Sequence, residues 1–554
     1  MSENTFSGNI VDLFDNVIYS GTIEVRNGRI FSITRGGGHY DTTPYNATGT
    51  TIIPGLVDAH VHVESSMLVP SEFARLASIH GTVATVSDPH EIANVMGVDG
   101  VRYMIENGRS VPFKFYFGAP SCVPATPFET NGASLGPEEV EALLKLKEVK
   151  YLSEMMNFPG AIEGEPSVMA KIEAAQSRGK PIDGHAPGLR GANLAKYVSR
   201  GITTDHETVD YEEAVEKVKL GMKILIREGS AARNFDTLIP LLKVFPRMVM
   251  FCSDDLHPDE LVARHIDGMV KKAFALGYDK MDVLRAASVN PVLHYGLDVG
   301  LLRPGDSADF VVVDSLDSFN VLKTVVMGEV IAEQGSTLIP HGKWAVVNGF
   351  YAALKSPEEF RFPAKKGRLK VILAGDGQLL TGIYHHCPAV TEGNLVSDIL
   401  ADVLKLTVVN RYADAPPAVA FIKGIGLKRG AIAASIAHDS HNILATGVSD
   451  EQICRAVNLC IANKGGIAIV DGSNEEVLPL PVAGLMSNDD GFVVAQKYAG
   501  MEKMARTLGS PLRAPLMTLS FMALLVIPEL KLSDKGLFDC KSFSFTESYE
   551  IDYN

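Results

Sequence analysis

Eight short apolar runs separated by helical stretches constrain this chain more than any other feature of its sequence. They fall at residues 57–62, 82–87, 114–117, 151–154, 181–185, 201–206, 222–227 and 249–254. The intervening segments carry helix signals, such as the acidic first turn of residues 137–146 and the proline start of residues 166–178. Eight strand-helix units in about 240 residues, roughly 30 residues each, make the arithmetic of a (β/α)8 barrel. A doubly wound open sheet is the alternative. In both, the functional site belongs at the carboxyl ends of the strands.

The flanks read differently. Residues 22–26 and 29–33 alternate apolar and polar around Asn27-Gly28, the signature of a hairpin. Strand-like text returns at residues 310–313 and again, as one run, at 324–330. These segments predict a composite β-sandwich assembled from residues 1–53 and 297–350 around a barrel at 54–296. Residues 351–554 mix strands (371–373, 418–422) with a helix (451–463) and read as a separate α/β domain. Three domains suit a chain of 554 residues.

Composition narrows the partners. Lys plus Arg number 51 against 66 Asp plus Glu, so the net charge of −15 repels nucleic-acid phosphates and anionic membrane surfaces. The chain is 46% hydrophobic and 21% charged, enough to bury several cores. Its longest apolar tract, residues 515–530, is broken by polar residues and flanked by prolines, short of the ~20 residues that a membrane span needs. The first residues carry no signal-peptide pattern, so a cytoplasmic location is expected. Six cysteines without a Cys-x-x-Cys pair are expected to be reduced thiols. Residues 424–430 are glycine-rich, but their spacing does not fit the dinucleotide fingerprint.

Six residues converge at the predicted strand ends: His60 and His62 after the first strand, Glu154 after the fourth, His185 after the fifth, His206 after the sixth and Asp254 after the eighth. His-x-His on a strand points both rings to one face, because side chains alternate with period two. One such histidine would ordinarily be structural; four with two carboxylates, each at a strand end, fit a binuclear metal centre. His60, His62 and Asp254 would hold one ion and His185 and His206 the other, with Glu154 bridging. Nitrogen and oxygen donors without thiolate suit Mn(II), Fe(II) or Zn(II). Such a centre lowers the pKa of water bound between its ions. Asp254 would also take the proton of the attacking water, with Asp255 as the positional alternative.

Residues 54–62, Pro-Gly-Leu-Val-Asp-Ala-His-Val-His, resemble the first-strand signature of the amidohydrolase superfamily, and the sheet segment Gly305-Asp306-Ser307-Ala308-Asp309-Phe310 resembles its flanking sandwich. A finer resemblance, to the adenine deaminase family, rests on motifs at residues 60–67, 87–95, 153–157, 226–231, 252–258, 437–442 and 481–487. It implies hydrolysis of adenine to hypoxanthine and ammonia in purine salvage, by attack of metal-held hydroxide at C6. It also implies an iron- or manganese-type centre in a homo-oligomeric enzyme. Many superfamily members bridge their metals with a carboxylated lysine on the fourth strand; here Glu154 stands there and Lys150 lies at the other end of the strand.

In this reading Glu91 protonates the ring, oriented by Asp88 and His90, and needs an apolar or anionic surrounding to stay protonated. The same residues would also serve as a plain helix start, with Asp88 as cap and Glu91 in a capping box. Arg227, Glu228 and Ser230, after the seventh strand, are candidate contacts to the purine edge; a buried ion pair is the other reading of Arg227 and Glu228. Residues 438–442 read as a structural loop or a contribution to the barrel mouth. Two rival functions remain at this stage. One is another metal-dependent cyclic C–N hydrolase on the same barrel. The other is a non-catalytic barrel scaffold, which would be expected to have lost some of the six ligands.

Overall fold

Residues 3–36, 49–376, 378–387 and 389–550 are described by a computed structural model; the parts of the expected flanking and C-terminal domains at 1–2, 37–48 and 551–554 lie outside the described residues. The eight apolar runs become eight strands: Leu56–Val61, Thr82–Ser87, Lys114–Ala119, Val149–Met155, Ile182–Gly184, Thr204–Asp205, Lys223–Arg227 and Val249–Cys252. Paired neighbours are parallel. The Thr203 amide donates to the Ile182 carbonyl at 2.9 Å, joining the fifth and sixth strands. The sheet then closes on itself. The Asp254 amide donates to the His60 carbonyl (3.0 Å) and the His62 amide to the Asp254 carbonyl (3.3 Å), so the architecture is a barrel and not an open sheet. Strands covered on both faces need no polar alternation, which is why the runs are continuously apolar. Val57, Val83, Leu152, Ile224 and Phe251 have no exposed surface.

One eight-stranded sheet gathers both flanks of the barrel. Thr51–Pro54 lies between Glu3–Asp12, which it pairs in parallel, and Phe310–Val313, which it pairs antiparallel. Val17–Arg26 and Arg29–Arg35 form the expected hairpin; Asn27 (φ 51°) and Gly28 (φ 75°) both adopt the left-handed conformation that its two-residue turn requires. The run expected at 324–330 is instead two strands, Val321–Val326 and Glu329–Glu333. Met327 (φ 48°) and Gly328 (φ 77°) turn the chain between them by the same left-handed geometry.

The C-terminal region builds a nine-stranded mixed sheet that includes Arg368–Leu373, Ala418–Lys423 and Val403–Val409. Helix Asp450–Ala462, capped by Ser449, buries Ile453, Val457 and Cys460 in a core with Val409, Ala433 and Ala468. Another helix, Gly491–Thr507, reaches the barrel, where the Tyr498 hydroxyl lies 2.5 Å from His257 Nδ1 and donates to Glu502 at 3.0 Å. In the glycine-rich loop the Asp402 carboxylate accepts from Gly424 N (2.9 Å) and Gly426 N (2.8 Å), so these donors are spent internally and not on a phosphate. Among the described residues no cysteines are bonded to each other, and no helix is long and apolar enough to cross a membrane.

A buried lysine fixes the loops after the fifth and sixth strands. Lys217, fully buried, donates to the Ala186 carbonyl (2.8 Å), Thr208 Oγ1 (2.9 Å) and Glu213 (2.6 Å), and lies 3.2 Å from Asp205. Burial would raise Asp205, but Lys217 and His206 bring it down to about 2. Removing the cation leaves buried carboxylates uncompensated, so Lys217→Met should lower unfolding stability by about 3–5 kcal/mol. An unchanged thermal midpoint would show that these charges are solvated.

Candidate active site

The carboxyl ends of the barrel strands bring all six predicted ligands together. His60 and His62 follow one another on the same face of the first strand, with their Nε2 atoms 3.2 Å apart. Both face Asp254 Oδ1, at 3.6 and 3.3 Å. His62 Nδ1 lies 3.2 Å from the Asp88 carbonyl, and because a carbonyl only accepts, Nδ1 donates there and leaves Nε2 facing the interior. Glu154 faces both sides. Its Oε1 lies 3.5 Å from His62, and its Oε2 lies 2.6 Å from His185 Nδ1 and 3.2 Å from His206 Nε2.

The donor chemistry fits a divalent cation on each side of Glu154. His60, His62, Glu154, His206 and Asp254 are at most 4% exposed, and their ring nitrogens and carboxylate oxygens gather within 4.8 Å of one another in groups of three or four. His60, His62 and Asp254 form one compact group; His206 and Glu154 converge with His60 in another, and His185 and His206 with Glu207 in a third. A fourth group joins His62 and Glu154 to Asp88 and His90, with His90 Nδ1 3.2 Å from Asp88 and 3.3 Å from Glu154.

Local structure aims these side chains. Asp254 sits at φ 56°, a conformation uncommon outside glycine, which turns it off the eighth strand at the point where the barrel closes. Beneath it Asp58 accepts from the His60 and Ser253 amides (3.3 and 3.0 Å) and lies 2.8 Å from His265 Nε2. Asn234 ties the sixth and seventh strand ends, accepting from Arg227 N (2.8 Å) and donating to the His206 carbonyl (3.1 Å). Burial alone would raise the Asp254 carboxyl, but Arg227, whose Nη1 stands 2.5 Å away, and His62 hold it well below the usual range.

Other candidates stand differently from expectation. Arg227 borders the pocket and is paired in burial with Glu207 and Asp254. Glu228 does not line the pocket; it lies 3.2 Å from Lys272. Ser230 is also outside the lining, its hydroxyl accepting from the His257 amide at 2.9 Å. The helix His90–Gly108 has Pro89 as its cap, and Glu91 makes no capping box. Glu91 is not in the apolar or anionic surrounding that a protonated acid needs: His438 Nδ1 lies 2.6 Å from Oε1 and His441 Nε2 holds Oε2. Burial would raise its carboxyl, but these two rings and His90 hold it well below the usual range.

Sequence reasoning missed much of the enclosure. Glu207 lines the pocket 3.6 Å from His206 Nε2, and its only sequence signal is that it follows a predicted ligand directly. Phe521, Leu524, Val526 and Ile527, from the apolar tract at 515–530, form a roof with Leu379. His438 and Asp439, from the loop at 437–442, complete the wall, and His438 stacks on Phe521 with ring centroids 4.9 Å apart.

Comparison with known proteins agrees with this arrangement. Residues 51–331 match the Amidohydrolase family and residues 378–544 the Adenine deaminase C-terminal domain. The chain is 57% identical over 541 residues to an adenine deaminase of Sulfurovum sp. (strain NBC37-1), covering 98% of each. It is 56% identical over 548 residues to one of Salinibacter ruber (strain DSM 13855 / M31), covering 98% of this chain and 99% of that one. A closed barrel with histidines and carboxylates at its strand ends, joined to that C-terminal domain over the full length of these relatives, places the chain in the amidohydrolase family, in the branch that carries the adenine deaminase C-terminal domain.

Proposed function

We propose that this protein hydrolyses adenine to hypoxanthine and ammonia at the carboxyl end of its barrel. The observation that carries the reading is the convergence of His60, His62, Glu154, His185, His206 and Asp254 beneath an apolar roof, in a chain similar over its whole length to adenine deaminases. His60, His62 and Asp254 would hold one divalent ion, His185 and His206 a second, with Glu154 between them; Mn(II), Fe(II) or Zn(II) suits these donors. When bound, the ions supply an activated water and Lewis acidity.

The chain's own groups do the rest. Asp254, ionised and oriented by Arg227, takes a proton from the water as its oxygen bonds to C6, then passes it to the departing amine. Phe521, Leu524, Val526 and Ile527 cover the purine and keep bulk water out, which strengthens each polar contact inside. The net charge of −15 gives the protein no long-range attraction for polyanions, in keeping with an uncharged free base as substrate.

The test is an assay with purified protein and added Mn(II) or Fe(II). Hypoxanthine and ammonia should form from adenine, without turnover of dihydroorotate or N-acetyl sugars; the opposite pattern rejects the proposal in favour of another C–N hydrolase. Chelation should abolish turnover and also lower the thermal midpoint, since it removes a ligand of the folded state, and restored metal should return both. Asp254→Asn should fold yet lose about 10²- to 10⁴-fold in kcat. Near-normal turnover by that variant would pass the proton-transfer role to Asp255.

A further inference from the structure

We propose that His438, carried by the C-terminal domain, delivers the proton to the purine ring while Glu91 holds it in position. The inference rests on the adenine reading above and adds a catalytic group to it.

Glu91 borders the pocket, but His438 Nδ1 at 2.6 Å from Oε1 and His441 Nε2 on Oε2 keep it an ionised acceptor, with no proton of its own to give a substrate. His438 is differently placed. One ring nitrogen is anchored on Glu91, and its face is packed at 18° to Phe521 with centroids 4.9 Å apart. The other nitrogen has no hydrogen-bond partner among the described residues, and the side chain lines the pocket with Asp254 and Asp255. A ring oriented by a carboxylate at one nitrogen and open at the other is the arrangement of a positioned general acid. The neighbours are less suited: His90 Nδ1 is wedged between Asp88 and Glu154, and Asp255 Oδ1 is occupied by the Ser65 hydroxyl at 2.5 Å.

The chemistry balances. The water oxygen bonds to C6 while one of its protons goes to Asp254, and the C6–N π pair moves to the adjacent ring nitrogen, which takes the proton of His438 Nε2. The C6–N bond to the amine then breaks, and ammonia leaves with the proton from Asp254. The remaining hydroxyl proton is released as the C6 carbonyl forms and restores His438.

The surroundings keep the ring protonated at neutral pH. Burial would lower it, but Glu91, with Asp255 and Asp439 facing it, raises it to about 9. Of the rings around it, burial holds His441 at about 4 and His257 at about 3, while His90, 3.5 Å from Glu91, is lowered by burial but raised well above the usual range by Asp88 and Glu91. The acid is therefore loaded below about 9 and lost above it, which predicts an alkaline limb in kcat.

His438→Gln keeps a side chain able to hydrogen-bond Glu91 but carries no acid. Its kcat for adenine should fall about 10²- to 10⁴-fold with bound metal unchanged, and its alkaline limb should disappear. Glu91→Gln, which removes the charge facing the ring, should move that limb down by about one pH unit or more. Near-normal kcat in His438→Gln overturns the proposal, as does loss of activity in both variants with the limb unmoved. Should His438→Gln fail to fold, the limb of Glu91→Gln decides alone. A wild-type protein inactive on adenine would sink the adenine reading itself, whereas an active wild type with an equally active His438→Gln sinks only this step.

Discussion

Imidazole lone pairs and carboxylates that point at one another inside a protein repel and lose their hydration, unless cations stand among them. The barrel concentrates that conflict at one end, where His60, His62, His206, Glu154 and Asp254 are nearly shut off from solvent. Much of the nearby structure fixes where these groups point. Asp58 braces the first and eighth strands from below, Asn234 links the sixth and seventh, and Lys217 ties down the loops behind His185 and His206. Arg227 gives Asp254 a cationic neighbour. Such supporting contacts fix ligand direction as firmly as the ligands fix an ion.

The C-terminal domain completes the other half of the pocket. Its apolar segment from Phe521 to Ile527 lowers the local dielectric, while His438 and His441 bring polar contacts to Glu91 across the domain boundary. The two effects belong together, because an interaction between a ring and a carboxylate is worth more once water is excluded. The same domain's glycine-rich loop, which superficially resembles a phosphate cradle, is filled by Asp402, so the fold offers that anion site to itself.

Local signals served well wherever the structure depends on neighbours in the chain. Continuous apolar runs became buried parallel strands, Asn27-Gly28 became a tight hairpin, and His60-x-His62 became two rings on one face. They failed where one residue's partner decides its role. Glu91 followed a strand and looked like an acid in search of an apolar pocket, yet two imidazoles take its oxygens. Glu228 and Ser230 share the seventh strand's exit with Arg227 but turn to Lys272 and the His257 amide. Met327-Gly328 broke one expected strand into two because both residues take left-handed dihedrals.

The sequence by itself determined the eight strand-helix units, the alternation that aims the histidines and the ligand types available to a metal, since each follows from a period of two or from spacing along tens of residues, whereas closure into a barrel rests on the hydrogen bonds between the first strand and Asp254. Only the tertiary structure decided what closes the site. Glu91 and His438 stand 347 positions apart, and Phe521 reaches the pocket from another domain. No periodicity connects such residues. Their meeting is set by how the C-terminal domain packs on the barrel, through contacts such as Tyr498 against His257 and a hydrophobic core that the two share.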